Sequence, residues 1–166
     1  MNAKCCFTGH RNIHQSDEPK IRVQVRKQVL SLIGKGVATF YVGGAVGFDM
    51  LAAESLISLR EEENIDLRIV SALPFPEWRD KWTESEKRRQ DIIMEKSDEV
   101  FFVANRYSRE AYLTRDRKMV DESAYCIAYC TRRSGGTAYT IRYAQKKGLQ
   151  VVNVADWDLM LLSANG

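Results

Sequence analysis

Residues 38–49 read Ala38-Thr39-Phe40-Tyr41-Val42-Gly43-Gly44-Ala45-Val46-Gly47-Phe48-Asp49. Ala38–Val42 is a short run of apolar, β-branched and aromatic residues, the composition of a buried strand. Gly43 and Gly44 break it. Phe48, Leu51, Ala52, Leu56 and Leu59 then recur at spacings of three and four, which predicts an amphipathic helix finishing in Arg60-Glu61-Glu62-Glu63. A strand, a glycine turn and a helix in immediate succession are the first half of a βαβ unit.

The same alternation continues in both directions. Lys4–Thr8 predicts a strand stopping at Gly9, and Ile21, Val25, Val29, Leu32 and Ile33 mark a helix ended by Gly34 and Gly36. Downstream, Asp66–Leu73 predicts a strand closed by Pro74-Phe75-Pro76. A charged helix follows over about Glu77–Lys96, with Trp78, Trp82, Ile92 and Ile93 as its apolar contacts. Glu99–Ala104 is a fourth apolar run, and the polar, basic stretch Asn105–Ser123 holds a short helix ending near Asp121. Ala124–Cys130 predicts a fifth strand, Thr137–Lys147 a helix stopped by Gly148, and Leu149–Val154 a sixth strand. Asp156–Leu162 adds a terminal turn of helix. Short strands alternating with helices imply a parallel sheet covered on both faces. With right-handed crossovers, the expected fold is α/β, a Rossmann-like three-layer sandwich with a mostly parallel sheet. No repeat or linker divides the chain, so residues 1–166 are read as one domain.

The 166 residues carry 25 Lys and Arg against 22 Asp and Glu, a net charge of +3. That surplus is too small to imply nucleic acid by itself. No apolar run reaches the ~20 residues needed to cross a bilayer, and Met1–Phe7 lacks the apolar centre of a secretion signal, so a cytoplasmic protein is expected. Cys5, Cys6, Cys126 and Cys130 lie in apolar segments without a CxxC or His-rich pattern. They are therefore expected as reduced, largely buried side chains, with no metal site.

In a sheet of this kind, ligands bind beyond the carboxyl ends of the strands, where helix N-termini present free N–H groups. Three such ends stand out. Thr8-Gly9-His10-Arg11 offers a hydroxyl, a tight turn and a guanidinium suited to phosphate, or simply a glycine turn with a helix cap. Gly43-Gly44-Ala45-Val46-Gly47-Phe48-Asp49 lets backbone N–H groups approach a phosphate without Cβ obstruction. It matches neither the GxGxxG fingerprint nor a P-loop. Asp49 either holds a ligand or favours the helix dipole, and Glu54, five residues on, need not share its helix face. Thr131-Arg132-Arg133-Ser134-Gly135-Gly136-Thr137 brings hydroxyls, bare backbone and a positive rim, or an ordinary Ser-capped turn. Three such turns together point to a phosphate-bearing, nucleotide-like ligand.

Phe7-Thr8-Gly9-His10-Arg11, Gly43–Asp49 with Ala52-Ala53-Glu54, Leu73-Pro74-Phe75-Pro76, Arg117–Ser123, and Ser134-Gly135-Gly136-Thr137 with Tyr143-Ala144 run in order over nearly the whole chain. They resemble the YpsA-like branch of the SLOG superfamily, whose members include the Lonely Guy phosphoribohydrolases and the DNA-processing protein DprA. The resemblance implies binding or sensing of a nucleotide-derived ligand, an ADP-ribose- or NAD-like molecule or a nucleoside phosphate. Its ligand residues would be Thr8, Gly9, His10, Arg11, Gly43, Gly44, Gly47, Asp49, Glu54, Thr131, Ser134, Gly135, Gly136 and Thr137. The phosphoribohydrolases carry a Pro-Gly-Gly-x-Gly-Thr-x-x-Glu signature whose Glu takes part in cleaving the N-glycosidic bond. Here Thr140 stands at that Glu, and Arg133 and Ser134 at its glycine pair. A nucleotide-processing hydrolase is thus the alternative, with Asp49, Glu54 or Asp121 as substitute carboxylates; enzyme and binding protein are both open readings at this point. Single-strand nucleic-acid binding is a further alternative, through Arg106, Arg109, Arg115, Arg117 and Lys118 with Tyr107 and Tyr112 for stacking. Glu110, Asp116, Asp121 and Glu122 interrupt that charge, so nucleic acid is not the expected partner. Relatives often form dimers, and Trp78 and Trp82 are candidates for an interface or for covering the core.

Overall fold

The computed structural model describes residues 3–155, and the terminal turn expected over Asp156–Leu162 lies outside them. Six strands alternate with five helices: β1 (Lys4–Gly9), α1 (Glu18–Gly34), β2 (Thr39–Val42), α2 (Phe48–Glu62), β3 (Arg68–Leu73), α3 (Glu84–Lys96), β4 (Glu99–Phe102), α4 (Arg109–Asp121), β5 (Tyr125–Tyr129), α5 (Gly136–Lys146) and β6 (Gln150–Asn153). All pairings are parallel, in the order β4-β3-β2-β1-β5-β6. This is the Rossmann-like α/β sandwich that the alternation predicts.

The pleat of β1 divides the interior. Cys5 and Phe7 join the core with α1 and α2, while Cys6 joins Met119, Val120 and Ala144 of α4 and α5 on the opposite face. All four cysteines are free and buried. Ile21, Val25, Val29 and Leu32 form the buried stripe of α1. No helix among the described residues is long and apolar enough to cross a membrane.

The charged helix differs from expectation. It begins at Glu84, because Thr83 and Glu86 cap each other reciprocally. Trp78 and Trp82 therefore precede it in a turn, where they pack edge to face at 5.8 Å and cover Leu73 and Phe75. Within α3, Ile93 is buried, but Ile92 is exposed and Gln90 takes the second inward position.

Candidate functional site

Strand order reverses direction at β1, which lies between β2 and β5. Connections leaving β1 and β5 diverge to opposite faces, and a crevice opens between the strand ends. A cleft of about 410 Å³ occupies it, walled by Thr8–Asn12 after β1, Ala45 and Asp49 after β2, Tyr112–Leu113 and Arg115–Asp116 of α4, and Arg132, Gly136 and Thr137 around the start of α5. That volume lies within the range of small-molecule sites.

His10 ties the two sides of the crevice together. Its N–H donates to the Tyr129 carbonyl at 3.3 Å, and its carbonyl accepts from Phe48 N–H at 3.1 Å. Its ring Nε2 accepts from Thr131 N–H at 2.8 Å, which places the remaining ring proton on Nδ1 of a neutral imidazole. Burial, followed by the charge of Arg132, lowers the His10 pKa and favours that neutral form. Arg11, next in the chain, is exposed, and its guanidinium lies 5.4 Å over the Tyr112 ring.

Asp49 is 6% exposed at the cleft wall. Its Oδ2 accepts from Ala45 N–H at 3.3 Å, and its Oδ1 has no partner among the described residues. Burial is the main cause of a pKa raised to about 7; Asp116 adds to it, while Arg115, the Ala45 amide and Arg11 oppose it. Arg115 is itself buried, donates to the Gly43 carbonyl, and pairs with Asp116 at 2.7 Å. Burial alone would lower its pKa, yet Asp116 and Asp49 outweigh that and raise it. Thr140, at the position of the phosphoribohydrolase Glu, is buried; its hydroxyl donates to Asp116 Oδ2 at 3.2 Å or to the Gly136 carbonyl at 2.9 Å.

Of the sequence-derived site residues, Thr8, Gly9, His10, Arg11, Asp49, Gly136 and Thr137 meet at this cleft. Gly43, Gly44, Gly47, Glu54, Thr131, Ser134 and Gly135 do not line it. Gly43 leaves room for Asp49, whose Oδ2 would lie 2.7 Å from a Cβ there. Gly44 has φ +71° and backs onto Leu73, while its carbonyl accepts from Trp78 Nε1 at 2.8 Å. Gly47, at φ +81°, packs against the carbonyls of His10 and Arg11. Glu54 accepts from Arg89 at 2.5 and 3.0 Å and from Arg22 at 3.5 Å, a bridge between α1, α2 and α3. Thr131 contributes its amide to His10, and Gly135 caps α5 at φ +99° with no side-chain cap bond. Asp121 accepts from Tyr143 and does not line the cleft.

Arg115 and Asp116 line the cleft although the sequence assigns neither to the nucleotide site; Arg115, expected as a contact for single-stranded nucleic acid, is instead buried and held by the Gly43 carbonyl and Asp116. A signal for Arg115 exists: Ala111, Arg115 and Met119 are spaced by four, so the guanidinium falls on the buried stripe of α4.

The all-parallel sheet and its switch-point crevice, approached by glycine turns and a helix N-terminus, define a Rossmann-like α/β domain. A family model described as the YspA SLOG family matches residues 5–157, and the chain belongs to that family. A UPF0398 protein of Halalkalibacterium halodurans is 28% identical over 134 residues, covering 78% of this chain and 70% of the relative. Another from Bacillus cereus is 24% identical over 151 residues, covering 85% and 82%. Among solved structures, DNA processing protein A (DprA) of Streptococcus pneumoniae superposes with a TM-score of 0.65 at 16% identity, over 90% of this chain and 49% of that one, so this chain spans about half its length. DNA processing protein A of Helicobacter pylori, described by its single-stranded DNA binding mode, gives 0.54 at 17% identity, over 98% and 81%.

Proposed function

We propose that the cleft binds the phosphate and ribose of a nucleotide-derived ligand, an ADP-ribose- or NAD-like molecule or a nucleoside phosphate, and that the protein acts as its binding or sensing domain. One observation carries this reading: the α5 N-terminus, without a side-chain cap, shares the cleft with Asp49, whose buried Oδ1 has no partner among the described residues. Uncapped N–H groups at Gly136 and Thr137, beside Arg132, suit phosphate oxygens. A buried carboxyl with a free oxygen suits a ribose hydroxyl, because a hydrogen bond from the ligand would relieve its desolvation. Family membership and the fold shared with DprA are consistent with a ligand of this class.

The test is mass spectrometry of small molecules retained by the purified protein, followed by calorimetric titration of AMP, ADP-ribose and NAD. Binding of at least one, weakened more by Arg11→Ala than by His10→Ala, is expected, because Arg11 carries a permanent charge while His10 serves the backbone. A folded protein that retains and binds none of them refutes the reading.

Single-stranded nucleic acid is the second reading, favoured by the single-stranded DNA binding described for the Helicobacter pylori neighbour and by exposed Arg106, Arg109, Arg132, Arg133 and Arg142 on the α4–α5 side. Arg117 is engaged by Tyr139 and Lys118 by Glu122, which weakens it. Oligonucleotide affinity falling steeply with salt would establish this reading; affinity absent at low salt removes it.

A further inference from the structure

Beside the main cleft lies a second, smaller cavity. It shares Arg11, Ala45, Tyr112 and Arg115 with the cleft and adds Val46, Trp78 and Trp82. The cavity measures about 20 Å³. Three of its seven lining residues are aromatic and two are arginines: Tyr112 has the Arg11 guanidinium over it at 5.4 Å and Phe75 against its ring at 5.6 Å, and Trp82 meets Trp78 edge to face at 5.8 Å. Trp78 is fixed by its bond to the Gly44 carbonyl.

Three kinds of surface thus follow one another along the strand ends. Helix N–H groups and Arg132 lie after β5, the Asp49 carboxyl lies after β2, and the aromatic slot reaches the segment after β3. Adjacent strands are about 4.8 Å apart, so this series extends over roughly the length of a mononucleotide, in the order phosphate, sugar, base.

We propose that the slot between Tyr112 and Trp82 is the nucleobase subsite of the cleft. This rests on the phosphate–ribose reading above and adds the part of the ligand that reading leaves unplaced. At about 20 Å³ the slot admits no base while Arg11 covers Tyr112; once Arg11 leaves, a planar base is the chemistry its walls suit, because base faces stack on aromatic rings and on guanidinium planes alike. Arg11 occupies the Tyr112 face that a base would take. An incoming base displaces it, opening the slot and freeing the guanidinium to turn to the phosphate in the cleft it also lines. Selection is for an aromatic base, with no hydrogen-bond readout assigned.

The test compares AMP with ribose 5-phosphate, which carries phosphate and sugar without the base, by calorimetry on wild type, Trp82→Leu and Val46→Phe. The second variant fills the slot while leaving every aromatic wall in place, so it covers the case in which Trp82→Leu fails to fold. Wild type is expected to bind AMP about tenfold or more tightly than ribose 5-phosphate, with AMP quenching tryptophan fluorescence. Each folded variant should lose that advantage. Equal affinity of wild type for the two ligands, or an advantage that survives in a folded variant, overturns the base subsite while leaving the phosphate–ribose reading intact. Failure of both ligands to bind wild type overturns the phosphate–ribose reading itself, and the base subsite with it.

Discussion

Gly44 and Gly136 stand in equivalent places, each in a glycine pair after a strand, yet the fold gives them opposite duties, and an alanine at each separates them. A Cβ at Gly44 would collide with Leu73 Cδ2, and the residue sits at φ +71°. The left-handed backbone costs an L-residue about 1–2 kcal/mol and overpacking a core about 1–3 kcal/mol, so Gly44→Ala should lose about 2–5 kcal/mol. In a domain of this size, each kcal/mol moves Tm by about 2–4 °C, giving a fall of roughly 4–20 °C. A methyl at Gly136 would meet open space among the described residues, and Gly136 begins α5. Alanine is the better helix former, so Gly136→Ala should keep or slightly raise Tm. Its methyl would project where a ligand must approach the helix amides, and affinity for AMP should fall about tenfold, or ~1.4 kcal/mol. Thermal melts and calorimetry on the two variants read both quantities. A Gly44→Ala protein melting within a degree or two of wild type would refute the packing argument. A Gly136→Ala protein that binds AMP normally would remove the α5 N-terminus from the site.

Asp49→Asn should flatten the pH dependence of stability. With its pKa raised from 3.8 to about 7 in the folded state, Asp49 contributes stability that is complete below pH ~4 and lost as pH rises through about 7. That amounts to about 4 kcal/mol, so urea unfolding from pH 4 to 8 should show the variant gaining on wild type as pH rises; parallel curves would contradict the burial argument. Cys5, Cys6 and Cys126 are at most 1% exposed, and burial above all pushes the Cys5 thiol up, so native protein should react slowly with a thiol reagent and denatured protein rapidly at all four cysteines. Fast labelling of every thiol in the native state would count against it. Incubation with AMP should leave the nucleotide intact, because Thr140 stands where the phosphoribohydrolases carry Glu, Asp116 is engaged by Arg115, and Asp49 is assigned to holding the ribose; release of ribose 5-phosphate would instead make Asp49 the substitute carboxylate and transfer the protein to the hydrolases.

The fold was legible because its signals are local and mutually consistent. Strand runs near β1, β2 and β5, the stripes of α1 and α2, and the intervening glycines all agreed on a parallel sandwich. At α3 the charge and tryptophans of residues 77–96 run together as if one helix, although Thr83 and Glu86, three residues apart, mark where the helix begins. Ile92 departs from the expected apolar face for a related reason: α3 packs mainly on α2, so a narrow stripe through Gln90 and Ile93 suffices and Ile92 is left outside.

The site was less legible, since a glycine-rich turn in sequence says that backbone must come close to something without saying to what. At Gly136 the space beyond is open, whereas at Gly44 it is filled by Leu73 and at Gly47 by the backbone of Arg11. The carboxylates show the same ambiguity. Asp49, Glu54 and Asp121 all looked available, but Glu54 is neutralised by Arg22 and Arg89, and Asp121 is held by Tyr143. Asp116 reaches the cleft only because α4 crosses from one sheet edge to β5 and passes over the switch point, a consequence of topology that no local pattern records. There its Oδ1 is engaged by Arg115, and Thr140 lies within hydrogen-bond distance of its Oδ2. Asp49 alone of these keeps a buried oxygen without a partner among the described residues. Whatever donor the ligand presents at the centre of the cleft, Asp49 is therefore the carboxyl that would gain most by accepting it, since a buried acceptor left unpaired costs more than a typical hydrogen bond returns.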